Sequence, residues 1–145
     1  MHVRIRPEIR SQIRSQLERN YPNEGGGFLL GSRQSGQIII EAAVEIENIF
    51  EEEEQYHRYA MSPQNWVQME DEADARGLAL VGYYHSHPDS PAVPSEYDRV
   101  HALPNFVYLI TSVQATQAAE MLAWQLNDDR ERFAPLVLDV AVDAS

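Results

Sequence analysis

The chain has no cysteine and no lysine. Without cysteine it forms no disulfide, offers no thiolate to a metal and has no cysteine nucleophile, which suits an intracellular protein. Any zinc it binds must be held by histidine and carboxylate. Without lysine it cannot carry an isopeptide or Schiff base on its own side chains. All 11 basic residues are arginine. Two origins for this fit equally well: a high-GC genome, or a high-salt cytoplasm whose screening tolerates a dense acidic surface.

Positive charge is scarce, with 11 basic against 23 acidic residues, a formal net charge of -12 and a pI near 4.7. That balance argues against a duplex-DNA binder, which depends on arginine and lysine to neutralise phosphates. Apolar runs of the roughly 18 to 20 residues needed to span a bilayer are missing, and the opening "MHVRIRPEIR" is charged, without the apolar core of a secretion signal. The expectation is a cytoplasmic protein that partners neither membrane nor nucleic acid. A length of 145 residues and 43% hydrophobic content predict one domain over 1–145 with one ordinary core.

In "PEIRSQIRSQLERN" Pro7 suits a first helical position, and Ile9, Ile13 and Leu17 recur every four residues, predicting an amphipathic helix that ends near Tyr21-Pro22. "NEGGGFLLGS" reads as a glycine-rich turn entering a short strand, and β-branched "QIIIEAAVEI" (37–46) as another strand. The acidic run at 51–54 reads as a solvated loop. Ser62-Pro63 resembles a cap followed by a first helical position, with Trp66 and Met69 on the buried side and Gly77 as a stop, so a second helix is expected over 63–76. "LALVGYY" begins a buried strand that carries one of its two tyrosines inward and runs into His85 and His87. Further strands are expected in "FVYLITS", "AEMLAWQL" and "FAPLVLDVAV". The triple glycine at 25–27 fits neither phosphate-binding pattern and suggests close approach of backbone to substrate. Strands with helices at intervals give an α+β, three-layer arrangement around a central sheet.

The chemistry concentrates in "HSHPDSPAVPSEYD". Alternation along a strand puts His85 and His87 on one face and Ser86 on the other, so two imidazoles can converge on one ion. Pro88, Pro91 and Pro94 restrict the following loop, and Ser95 opens a helix with Asp98 three residues on. Ser-x-x-acid is a capping box, which satisfies orphan helix amides, and it also sets Ser95 and Asp98 side by side. Two histidines and one carboxylate make a catalytic zinc set with a fourth position left for water, whose acidity the ion raises. Glu24, at the glycine-rich turn, is the candidate base. His101 could touch Asp98 from the next helical turn, and His57, in "YHRYAMSP", could rim a substrate groove; for both, an ordinary surface histidine is the simpler reading.

Taken together, "HSHPDSPAVPSEYD" and the upstream "YPNEGGGFLLG" resemble the JAMM (MPN+) metalloproteases in their compact prokaryotic form. Gly26 stands where that family often has cysteine. The resemblance implies a central mixed, mostly antiparallel sheet flanked by helices, of the MPN and cytidine-deaminase type. It further implies that His85, His87 and Asp98 ligate zinc, that Glu24 serves as general base and that Ser95 hydrogen-bonds the oxyanion. The activity implied is hydrolysis of the amide after the C-terminal Gly-Gly of a ubiquitin-like sulfur-carrier protein, releasing a cysteine or a short peptide. A lysine isopeptidase acting on carrier conjugates, a RadC-like DNA-associated protein and a non-catalytic MPN interaction module are the alternatives.

Overall fold

The computed structural model describes residues 2–46 and 63–140. In chain order these form β1 (His2–Ile5), α1 (Pro7–Asn20), β2 (Gly26–Gln34), β3 (Gln37–Ile46), α2 (Pro63–Ala75), β4 (Ala79–Pro88), α3 (Glu96–His101), β5 (Val107–Gln114), β6 (Gln117–Leu126) and β7 (Phe133–Val140). The acidic run at 51–54, the Ser62 cap, His57 and most of the segment leading into α2 fall outside the described residues.

The strands form a single mixed sheet in the order β1-β3-β2-β4-β5-β6-β7, which closes through β1 and β7. β1 runs parallel to both its neighbours and β4 runs parallel to β5, while the remaining pairs are antiparallel. The α+β class and the mixed sheet with helices agree with expectation; the sheet itself curls shut, where a three-layer stack would leave it open. Closure depends on β1, a strand with no signal of its own in the sequence. Its four residues sit among charges and are too few for a periodicity signal, although Val3 and Ile5 are fully buried. Their partners, Ile38 to Ile40 and Leu138 to Val140, lie far along the chain.

Each face of the sheet has its own apolar cluster. Ile13 and Leu17 of α1 pack with Val3, Ile5, Leu29, Ile40, Val81, Tyr84 and Leu109, and burying such side chains contributes roughly 1.5–3 kcal/mol each. The opposite cluster is aromatic: Phe28, Tyr83 and Tyr108, with Trp66 and Met69 of α2 packed against them. Phe28 meets the rings of Trp66 and Tyr83 edge-on at 5.2 Å. Gly77, at φ +71°, follows α2 in the left-handed region that glycine enters without strain.

A bulge in β4 decides which residues face which cluster. Leu29 of β2 pairs with Gly82 and Leu30 with Leu80, so Val81 stands opposite no partner there. The extra residue resets the alternation. Val81 and Tyr84 join the α1 side, whereas Leu80 and Tyr83 join the α2 side. Because both faces are covered, both tyrosines are buried, rather than one of them.

Candidate metal centre

Beyond Tyr84, β4 alternates without interruption, so His85 and His87 follow Tyr83 on one face while Ser86 follows Tyr84 on the other. Both histidines are buried, at 2% and 8% exposure. The Nε2 atoms of His85 and His87 are 3.1 Å apart. Asp98 reaches both, with Oδ1 3.2 Å from His85 Nε2 and Oδ2 3.1 Å from His87 Nε2.

The loop from β4 to α3 is held along its length. Ser112 Oγ donates to the carbonyl of Ser90 at 2.6 Å, and the Trp124 indole N–H donates to that of Ala92 at 3.0 Å. Between them, the Pro91 carbonyl lies 2.9 Å from His87 Nδ1. Since a carbonyl only accepts, this contact places a proton on Nδ1 and leaves Nε2 of the neutral ring with a lone pair directed at the site. α3 then opens with the expected capping box. Ser95 Oγ accepts from the Asp98 amide at 3.1 Å, and the Ser95 amide donates to Asp98 Oδ2 at 2.8 Å. The cap thus aims the carboxylate as well as satisfying the helix end.

These atoms fit a tetrahedral ion. Zinc bonds to nitrogen at about 2.0–2.1 Å and to oxygen at about 2.0–2.2 Å, which separates neighbouring ligand atoms by about 3.3–3.5 Å. The two Nε2 atoms, 3.1 Å apart, approach that spacing, and each has its own carboxylate oxygen close by, Oδ1 at 3.2 Å from His85 and Oδ2 at 3.1 Å from His87. Among the described residues, His85, His87 and Asp98 are the group whose ligand atoms gather within 4.8 Å.

The electrostatics of the protein groups follow from the same contacts. Burial disfavours protonation of His87, but the hydrogen bond and charge of Asp98, with a smaller pull from Glu24, outweigh it and raise its pKa. Burial works against ionisation of Asp98 too; the charge of His85, hydrogen bonds from both histidines and the Ser95 amide prevail and hold it far below the usual carboxylate range.

A cleft of about 720 Å³ opens beside the cluster, and Glu24, His87 and Ser95 all line it. The turn carrying Glu24 therefore lies next to α3's cap although more than 70 residues separate them in the sequence. Gly25, Gly26 and Gly27 are buried, and a Cβ on Gly27 would collide with the Tyr84 hydroxyl and the Val44 carbonyl. The close approach made by Gly27 is thus to its own core. His101 ends α3, and its side chain is outside the described residues.

Two features of the site have little signal in the sequence. Asp89, which lines the same cleft, accepts from the Tyr21 hydroxyl at 2.6 Å and from the Ala115 amide at 3.2 Å. The "HPD" step could have drawn attention to it. Gln16 is buried at 2% exposure, accepts from the Tyr84 hydroxyl at 2.6 Å and donates to the Gly26 carbonyl at 3.0 Å; a glutamine beside the apolar stripe of α1 was the signal. Ser86, fully buried, accepts from the Gly25 amide at 2.9 Å, and its own amide donates to the Gly25 carbonyl at 3.0 Å.

Residues 6–127 match the family described as prokaryotic homologs of the JAB domain. The chain is 33% identical over 139 residues to a desampylase of Haloferax volcanii, covering 95% of this chain and 91% of that one. It is 28% identical over 107 residues to a probable TtuB-protein conjugate cleaving protease of Thermus thermophilus, covering 74% and 68%. A solution structure of a Salinibacter ruber protein superposes with a TM-score of 0.75 at 33% identity, covering 98% and 94%. Another, of a Desulfitobacterium hafniense protein, superposes at 0.83 with 20% identity, covering 97% and 94%, and bears on the fold alone. With His85, His87 and Asp98 gathered beside a cleft that also takes in Glu24 and Ser95, the chain belongs to the prokaryotic JAB-domain family, the compact branch of the JAMM/MPN type, and is a hydrolase of that type.

Proposed function

We propose that residues 1–145 act as one zinc-dependent peptidase domain of the cytoplasm that hydrolyses the amide after the C-terminal Gly-Gly of a ubiquitin-like sulfur-carrier protein. The observation that carries this reading is the convergence of two histidines and one carboxylate at the edge of a cleft that also holds a glutamate and a serine hydroxyl.

His85 and His87 would hold the ion through Nε2 and Asp98 through its carboxylate. When bound, zinc would supply Lewis acidity toward the scissile carbonyl and lower the pKa of attacking water toward about 7. Glu24 takes a proton from that water and delivers it to the departing amine, which leaves as a neutral group. Ser95 serves two purposes without conflict. Its oxygen accepts the Asp98 amide through a lone pair, so its hydroxyl hydrogen is available to the carbonyl oxygen as negative charge develops. A diglycine tail suits the approach to the ion, since an extended backbone without Cβ atoms comes nearest to it.

The leaving group has two readings. A cysteine or short peptide adduct is the first. The second, a lysine-linked protein conjugate, is favoured by the Thermus thermophilus relative, whose name specifies cleavage of protein conjugates. Incubating the zinc-loaded protein with a diglycine-tailed carrier joined either to cysteine or to a lysine side chain, with and without chelator, separates them. Cleavage of at least one adduct, abolished by chelator, is expected; intact adducts in every arm would overturn the proposal.

A further inference from the structure

The assignment of Glu24 as base leaves a question of placement, and this inference rests on that assignment. Glu24 sits on a turn between α1 and β2, whereas the metal ligands belong to β4 and α3. A proton acceptor must lie within about 3 Å of the proton it takes, and misplacement by 1 Å costs on the order of 100-fold in rate. Some feature must therefore set the turn against the histidines.

Two residues that straddle His87 bond to that turn. On one side Ser86, between the two histidines in sequence but buried on the other face of β4, brackets Gly25: its Oγ accepts the Gly25 amide and its amide donates to the Gly25 carbonyl. These bonds extend the β2–β4 ladder, whose last pair is Gly26 with His85, by one residue toward Glu24. On the other side Asp89 accepts from the hydroxyl of Tyr21, where the turn begins. The turn from 21 to 25 is thus fastened at both ends to residues 86–89. Asp89 adopts φ +54°, a conformation that non-glycine residues rarely enter and that its contact with the Ala115 amide helps hold.

We infer that Ser86 and the Tyr21–Asp89 pair are positioning residues that register Glu24 against the metal site. Because strand alternation sends Ser86 to the face opposite His85 and His87, one short segment supplies a metal ligand on one face and the tether for the base on the other. The intervening serine of the histidine pair acquires a role in the reaction although it touches neither metal nor substrate.

The test is a double-mutant cycle on the zinc-loaded protein, using a diglycine-tailed ubiquitin-like protein linked by an amide to a fluorogenic amine. Ser86→Ala should keep its zinc and nearly its KM, lower kcat by about 10- to 100-fold, and speed hydrogen exchange at the Gly25 amide. Tyr21→Phe, which removes a single oxygen from a half-buried ring, should lower kcat by a smaller factor and keeps the test open if Ser86→Ala fails to fold. In a Glu24→Ala background neither change should lower the residual rate further, because each acts through the glutamate. Wild-type kcat in both single variants, or losses that multiply with Glu24→Ala, would overturn the tether. Wild-type turnover by Glu24→Ala alone would instead remove Glu24 as the base, a separate failure.

Discussion

The two halves of the site are held in opposite ways. Asp98 is aimed from within its own helix, by a serine three residues earlier whose amide and hydroxyl both bond to it. Glu24 is placed from a distance: the bonds that fasten its turn join Gly25 to Ser86 across 61 positions and Tyr21 to Asp89 across 68. Gln16 and Tyr84, also 68 positions apart, support the Gly26 carbonyl from beneath. A ligand needs a fixed direction, which a capping box supplies without help from the rest of the fold. A base serving an ion on another element needs a fixed separation from that element, which requires tertiary contacts.

Breaking the ion's own support should have the largest effect. His87→Ala removes a proposed ligand and the proton donor to the Pro91 carbonyl; loss of both bound zinc and turnover is expected, read by metal analysis beside kinetics. Undiminished zinc in that variant would move the metal elsewhere. Glu24→Ala separates the halves, since it should retain zinc while turnover falls by about 10²- to 10⁴-fold.

Ser95→Ala strikes the local half. It should lower kcat by about 10²- to 10³-fold if the hydroxyl serves the oxyanion, and cost about 1 kcal/mol as a lost cap; Ser95→Thr should recover both. A change in denaturation midpoint with unaltered kcat would leave Ser95 as a cap alone.

Acidity distinguishes metal from pair. Without metal, the raised pKa of His87 adds stability that is complete below about pH 6.5 and lost as pH rises through the folded value. The lowered pKa of Asp98 adds stability above about pH 3.9 that is lost as pH falls through the folded value. A zinc ion held by His87 would compete with the proton there, so its binding would strengthen as pH rises. The difference in Tm between zinc-loaded and chelated protein should therefore widen from about pH 5 to pH 8; a constant difference would exclude His87 as a ligand.

The smallest effect sharpens the distant half. Burial holds the Tyr84 hydroxyl protonated far above its ordinary pKa, so it remains a donor to Gln16. Tyr84→Phe strands the Gln16 oxygen and should cost about 1–3 kcal/mol in chemical denaturation, with zinc content unchanged.

Much of this was legible in the residues because the controlling contacts are short. The stripe Ile9, Ile13, Leu17 gave α1, β-branched residues gave β3 at its observed bounds, Gly77 marked the end of α2, and His-x-His with Ser-x-x-Asp gave the candidate ligands together with their cap. β1 escaped because four residues among charges carry no periodicity and become a strand only through β3 and β7. The β4 bulge escaped because its one sequence mark, Gly82 beside Val81, equally fits close backbone approach, which it also makes toward Val107. Asp89 and Gln16 escaped because their roles depend on Tyr21 and Tyr84, which meet them only after folding.

The sequence by itself determined which side chains could hold an ion and how Asp98 would be aimed, because strand alternation and helix capping act over two or three residues. Only the tertiary structure decided that the sheet closes, that β4 resets its faces at Val81, and that Glu24 comes to line the same cleft as His87 and Ser95. Those outcomes depend on hydrogen bonds and packing between distant segments, and a distance between two elements exists only once both have found their place in the sheet.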